Sequence, residues 1–198
     1  MRVIGITGGV GAGKSRILSY IREKYNCTIL LADEAAHQVK EPGQPCYEQL
    51  IKLLSEDILD KDGSINKQKM AEKIFASEHL LKKVNQIIHP AVKKFILQRI
   101  EEERKNASCD FFFIEAALLI EDGYLEIVDE MWYIYAREEV RRKRLKDSRN
   151  YSEEKIKSIM ENQLTDEEFR KYCKVVIDNS DALSDACRCI DERLGEYL

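Results

Sequence analysis

Lys14 and Ser15 close the stretch GITGGVGAGKS, which, with the residues before it, holds five of the chain's nine glycines. The spacing Gly8-x-x-x-x-Gly13-Lys14-Ser15 is that of a phosphate-binding loop. Without Cβ atoms such a loop can wrap a polyphosphate and aim the N–H groups of Gly9, Val10, Gly11, Ala12 and Gly13 at it. The Lys14 ammonium would reach the β- and γ-phosphates, and the Ser15 hydroxyl would be a ligand for Mg²⁺. The flanks agree. Val3-Ile4-Gly5-Ile6 has the pattern of a short buried strand, and Ile17, Leu18 and Ile21 have helical spacing, so strand, loop and helix N-terminus follow in the order an anion site needs. The pattern predicts a nucleoside-triphosphate site.

Other residues able to do chemistry fall at the ends of apolar runs. Asp33 follows Cys27-Thr28-Ile29-Leu30-Leu31, a second strand expected to be buried. Three roles suit it: a helix cap, a water-mediated Mg²⁺ contact, or the base that takes a proton from an acceptor hydroxyl. Glu115 follows Phe111-Phe112-Phe113-Ile114 and suits the metal side of a phosphoryl-transfer site. Asp178-Asn179 follows the apolar run ending at Ile177. His89-Pro90 interrupts a helical pattern, which places His89 at a junction, either as a plain helix break or as an imidazole facing substrate. Arg137–Arg149 carries seven basic and three acidic residues. That density is either a solvated helix face or a lid closing over a nucleotide, with Arg144 and Arg149 as its working residues.

The elements needed to position these groups are legible in the patterning. Runs at 109–114, 131–135 and 174–177 add three strands to the first two, each separated by helical stretches. This predicts an α/β domain with a five-stranded, mostly parallel sheet in a three-layer arrangement. From about residue 46 to 104 the pattern is helical, broken by a turn at DKDGS (Asp60 to Ser64). The expected division is a core of 1–40, 106–137 and 166–198, a helical substrate-binding insertion at 41–105 and an arginine-rich lid at 138–165. In an open α/β sheet ligands gather at the carboxyl ends of the strands, where the loop, Asp33, Glu115 and Asn179 all fall.

Composition sets outer bounds. A net charge of −4 argues against a nucleic-acid binder held by a basic surface, so a polyanionic ligand must be met by local positive charge. No stretch of 18 apolar residues and no leader pattern is found, so no membrane partner is expected. The six cysteines contain no C-x-x-C pair and suit reduced thiols in the cytoplasm. A monomer or weak homo-oligomer is expected.

The ordering of motifs resembles the dephospho-coenzyme A kinase family. The resemblance covers nearly the whole chain: the TGGVGAGKS loop, ADEAAH after the second strand, EPG at Glu41–Gly43, IIHPAV, LLIE from Leu118 to Glu121, the arginine helix, Gln163 and VIDNS. It implies a P-loop kinase fold and transfer of the γ-phosphate of ATP to the ribose 3′-hydroxyl of dephospho-CoA. By the same resemblance, Asp33 is the acceptor-activating carboxylate and Arg144 belongs to the lid. Asn179 lies near the adenine of ATP, and His37, His89, Leu118 and Glu121 belong to the acceptor side. Three positions depart from the family pattern: Leu31 replaces an acidic residue, Ala117 replaces proline, and Ser148 stands where a second lid arginine is usual, with Arg149 beside it. Other readings of the same loop are another small-metabolite or nucleotide kinase, a catalytically silent scaffold, or a GTPase-type switch. Asp60-x-x-Gly63 fits the last, whereas the guanine-reading N-K-x-D is missing.

Overall fold

The computed structural model describes residues 1–198. Its chain forms two compact units, Met1–Ile29 with Ala107–Leu198, and Leu30–Asn106.

The first unit is built on a sheet. β1 (Arg2–Thr7) lies between β3 (Phe111–Glu115) and β4 (Glu130–Tyr135), and β5 (Val175–Asp178) follows β4, all in parallel pairs. β2 (Cys27–Leu31) takes the far edge, giving the order β2-β3-β1-β4-β5. The central strands are apolar runs because helices cover both faces of such a sheet. Ile4, Ile6, Phe112, Phe113, Ile114, Trp132 and Ile134 are fully buried. Phe113 packs edge-on against Trp132 at 6.0 Å between centroids, and Tyr133 stacks on Phe169 at 4.5 Å. β2 departs from expectation: every residue in it is half-buried, because it has a neighbour on one side only. The helices of this unit are α1 (Lys14–Lys24), α6 (Glu138–Arg149), α7 (Glu153–Glu161), α8 (Asp166–Tyr172) and α9 (Leu183–Gly195). α1 buries Ile17, Leu18 and Ile21, the three residues whose spacing predicts it.

At the amino ends of the strands, Glu130 gathers the C-terminal helix. Its carboxylate accepts hydrogen bonds from Trp132 Nε1 (2.9 Å), from the Arg193 guanidinium and from the Tyr197 hydroxyl. Burial alone would raise the Glu130 pKa, but the bonds from Arg193, Tyr197 and Trp132 outweigh it and hold the carboxyl below its usual value. A carboxyl with a depressed folded pKa contributes stability that is full above its unfolded pKa, about 4.3, and is lost as pH falls through the folded value. Glu130→Gln is therefore expected to lower the urea midpoint at pH 7. It should also flatten the decline in stability below about pH 4, measured by urea titrations across that range.

The second unit is helical. α5 (Glu78–Asn106) is its long central element, packed by α2 (Ala32–Gln38), α3 (Pro45–Leu54) and α4 (Lys67–Phe75). Leu50, Leu54, Val84, Val92, Ile96 and Ile100 form its buried face. The expected break at His89-Pro90 does not occur: α5 runs continuously with Pro90 inside it. Proline removes one i→i−4 bond, to the Gln86 carbonyl. Gln86, His89 and Pro90 are all exposed, so water can take that carbonyl while the apolar face keeps the helix together. Asp60–Ser64 is a tight turn, as expected, closed by a bond from Asp60 N–H to the Ser64 carbonyl (2.9 Å). The Asp60 carboxylate accepts from Asn66 Nδ2 (2.9 and 3.1 Å), and Asn66 caps α4, so the D-x-x-G match serves a turn.

All six cysteines are free thiols. Burial raises the pKa of Cys27, Cys46, Cys173, Cys187 and Cys189, with Cys173 pushed up to about 12.

Candidate active site

Strand register brings the functional groups of the first unit to one edge of the sheet. Ile6 pairs with Glu115, Thr7 with Tyr133, and Tyr135 with Asp178, so β1, β3, β4 and β5 end together. Residues 8–13 leave β1 at that edge and Asn179 follows β5 there.

The loop returns directly into α1, whose N-cap is Gly13 in a left-handed conformation (φ 92°). Only glycine takes that conformation without strain, and here the space is closed as well: a Cβ would run into Asn179 Nδ2. No side chain caps α1, which leaves its first-turn N–H groups and the positive end of its dipole for an anion. Lys14, the first residue of α1, donates from Nζ to the Gly8 carbonyl (2.7 Å) and lies 3.6 Å from Glu115 Oε1. Burial lowers the Lys14 pKa; the Glu115 carboxylate works against that, while Arg141 and Arg149 add to it. Glu115 ends β3 with its side chain mostly buried. Ser15 is exposed, one residue further into α1.

Asn179 is buried and grips the back of the loop. Its Nδ2 donates to the Ala12 carbonyl (2.8 Å), its N–H donates to the Tyr135 carbonyl (2.8 Å), and its own carbonyl accepts from Arg144 Nη2 (2.8 Å). Arg144 also reaches the Ala12 carbonyl (3.3 Å). Asn179→Ala should cost about 1–3 kcal/mol of stability, toward the lower end because Arg144 still serves Ala12; urea unfolding of the two proteins measures it.

Arg149 is exposed near the end of α6, with its guanidinium 6.0 Å from the centre of the Tyr151 ring. Ser148 hydrogen-bonds back to the Arg144 carbonyl (2.5 Å). Leu118 and Glu121 are exposed in the turns after β3, which are anchored by buried Leu119 and Ile120. Two residues given no catalytic role from the sequence touch the loop: Arg141 and Gln163. A signal for Arg141 is the buried Leu145, since positions 141, 145 and 149 share one face of a helix.

In the helical unit, Asp33 is the second residue of α2 and is exposed. The N-cap is Leu31, with no side-chain bond, so Asp33 is not the cap. His37 lies one turn further along the same helix. It lines a cavity of about 400 Å³ with Lys40, Lys67, Met70, Ile74 and Phe75, among others. Burial lowers the Lys40 pKa, Lys67 lowers it further, and Cys46 and Asp33 counteract. The Asp33 carboxylate and two ammonium groups of the cavity wall therefore share one electrostatic neighbourhood. His89 is exposed on α5.

A family model described as dephospho-CoA kinase matches residues 2–185. The chain belongs to the dephospho-CoA kinase family. A dephospho-CoA kinase of Aquifex aeolicus is 37% identical over 93% of this chain and 92% of its own length. One of Dehalococcoides mccartyi is 33% identical over 100% and 98%. Among solved structures, TT1252 from Thermus thermophilus superposes with a TM-score of 0.80 at 27% identity, covering 100% of this chain and 98% of that one. Membership of the dephospho-CoA kinase family accords with the P-loop kinase fold that the resemblance implies and with the five-stranded sheet expected from the patterning. No helix is long and apolar enough to cross a membrane.

Proposed function

We propose that this chain transfers the γ-phosphate of ATP to the ribose 3′-hydroxyl of dephospho-CoA, giving coenzyme A and ADP, the last step of coenzyme A synthesis. The observation that carries this reading is Lys14, held between the glycine loop and Glu115 in a chain whose dephospho-CoA kinase match spans residues 2–185.

In this reading the loop from Gly9 to Gly13, with Lys14 and Ser15, binds the nucleotide phosphates, and Arg144 and Asn179 hold the loop in shape from behind. Asp33 accepts the proton of the acceptor hydroxyl as the new oxygen–phosphorus bond forms and the bond to the ADP oxygen breaks. Lys14 follows the charge that builds on the phosphoryl oxygens. Arg149 lends further positive charge from α6. The acceptor lies along the helical unit, with its diphosphate facing Lys40 and Lys67 and its thiol-ended arm in the cavity beside Ile74 and Phe75. His37, His89, Leu118 and Glu121 contribute to acceptor binding.

The donor set also suits Mg²⁺. Mg²⁺ keeps several of its waters and is bound through few protein groups together with a nucleotide's phosphates. The Ser15 hydroxyl and, through water, Glu115 would hold it; when bound it supplies neutralisation of phosphate charge. The enzyme so described works in the cytoplasm, as a monomer or weak homo-oligomer.

The test is ADP release with ATP and Mg²⁺, comparing dephospho-CoA with adenosine, AMP, shikimate and no acceptor. Turnover that depends on dephospho-CoA and yields coenzyme A is expected. ADP release with a different acceptor, or equally with none, would overturn the assignment.

A further inference from the structure

A polar junction between α6, the turn after α7 and the crest of the glycine loop has no role in the reading above. Arg141 Nε donates to the Val10 carbonyl (3.0 Å) and its Nη2 donates to Gln163 Oε1 (2.7 Å). The same Gln163 oxygen accepts the Val10 N–H (3.1 Å). Both polar backbone groups of Val10 are thus held by two side chains that also hold each other. Gly9 lies directly under the guanidinium, and a Cβ at that position would collide with Arg141 Cζ, Nη1 and Nη2.

Two of the three guanidinium nitrogens are committed. Nη1 makes no hydrogen bond within the protein, and it sits above Gly9 at the loop crest. Arg144 differs: its Nη1 turns to the Gly11 and Ala12 carbonyls and its Nη2 to the Asn179 carbonyl, so its bonds brace the loop. Arg149 is exposed and lies toward Tyr151. Arg141 is also the stronger of the two as an influence on the Lys14 ammonium, ahead of Arg149. A guanidinium fixed by two bonds, with a third donor left over beside the phosphate-binding lysine, is pre-organised for an anionic oxygen.

We propose that Arg141 is the α6 cation that contacts the terminal phosphate of the bound triphosphate, and that Gln163 is the positioning residue that aims it. The proposal rests on the phosphoryl-transfer reading above, but its binding arms need no acceptor. Gln163 acts through Arg141: with both Val10 groups occupied, the loop crest and the guanidinium move as one piece.

The experiment compares Arg141→Ala, Arg141→Lys and Gln163→Leu with the unaltered chain. It measures kcat with dephospho-CoA, and affinities for ADP and for the β,γ-imido analogue of ATP by calorimetry with Mg²⁺. Arg141→Ala should lower kcat roughly 30-fold, less than the ~10²–10³-fold lost with a sole donor because Lys14 remains. It should weaken the imido analogue about tenfold, as expected for one charge-assisted bond, with ADP affinity within about twofold. Arg141→Lys should not restore kcat, since the three donors of an ammonium fan from a single nitrogen and do not reproduce the spaced, planar fork that meets Val10 through Nε and Gln163 through Nη2. Gln163→Leu should lower kcat less, and adding it to Arg141→Ala should cost nothing further. Equal loss of ADP and analogue affinity would make the pair a loop brace and overturn the proposal, as would near-normal kcat in Arg141→Ala. If Arg141→Ala fails to fold, the ADP-to-analogue comparison in Arg141→Lys decides in the same way. Should dephospho-CoA not be the acceptor, kcat is lost as a readout for every protein, while the binding comparison still stands.

Discussion

Lys14→Ala is expected to lower kcat at least about a thousandfold while leaving the chain folded. The ammonium sits at the head of α1, bonded to the Gly8 carbonyl and 3.6 Å from Glu115. It can follow charge that moves from the γ-phosphate to the leaving oxygen without rearranging the backbone, which makes its contribution larger in the transition state than in the ground state. The loss should therefore appear in kcat more than in ADP affinity. Removing the ammonium also takes away the cation 3.6 Å from the Glu115 carboxylate, beside the proposed phosphate site, which adds repulsion to the missing attraction. Lys14→Arg should not rescue turnover: the planar guanidinium is larger and cannot reproduce a point charge in a pocket where the lysine side chain is only 13% exposed. Steady-state kinetics with calorimetric ADP binding checks this. A kcat within tenfold of the unaltered chain would reduce Lys14 to a brace for the loop.

With Asp33 as the proposed base for the acceptor hydroxyl, Asp33→Asn should lower kcat at least about a hundredfold, because an amide cannot take a proton in that role. Nucleotide affinity and thermal midpoint should stay close to normal. The structural basis for that separation is local. Leu31, not Asp33, is the N-cap of α2, and it makes no side-chain bond, so asparagine removes no cap. Asp33 is exposed, and its influence is felt at Lys40 on the cavity wall. Near-normal turnover in Asp33→Asn would leave the residue as an acidic group that merely suits the first turn of a helix. A parallel measurement of the KM for dephospho-CoA separates lost proton transfer from a disturbed acceptor site.

Much of this arrangement is legible in the chain because the informative residues lie at element ends. Glu115 and Asn179 end apolar runs, and parallel pairing leaves few ways to place those ends other than on one edge. The loop is legible for a similar reason, since Gly13 meets both a backbone and a space requirement. What resists reading is tertiary. Pro90 has the chemistry of a boundary, yet α5 continues through it, because buried Val84, Val92, Ile96 and Ile100 on one face outweigh a single lost bond on the exposed side. β2 is as apolar as a central strand, but only pairing order reveals that it is an edge. Arg141 lies in a stretch with seven basic residues, and composition cannot single out which of them turn toward the loop; Arg141 shares a face with buried Leu145, but so does exposed Arg149, while Arg144, off that face, also reaches the loop.

The thiols bear on a hazard that comes with the proposed substrate. Dephospho-CoA ends in a free sulfhydryl, and in oxidised form it would exchange with any protein thiolate within reach. Attack needs the thiolate, and five of the six cysteines have their pKa raised by burial. At neutral pH a thiol titrating at about 12, as Cys173 does, is ionised in only about one molecule in a hundred thousand. Cys46, Cys109 and Cys173 are also closed off from solvent. A protein built this way can handle a sulfhydryl metabolite, and its disulfide, while remaining a poor partner for mixed-disulfide formation.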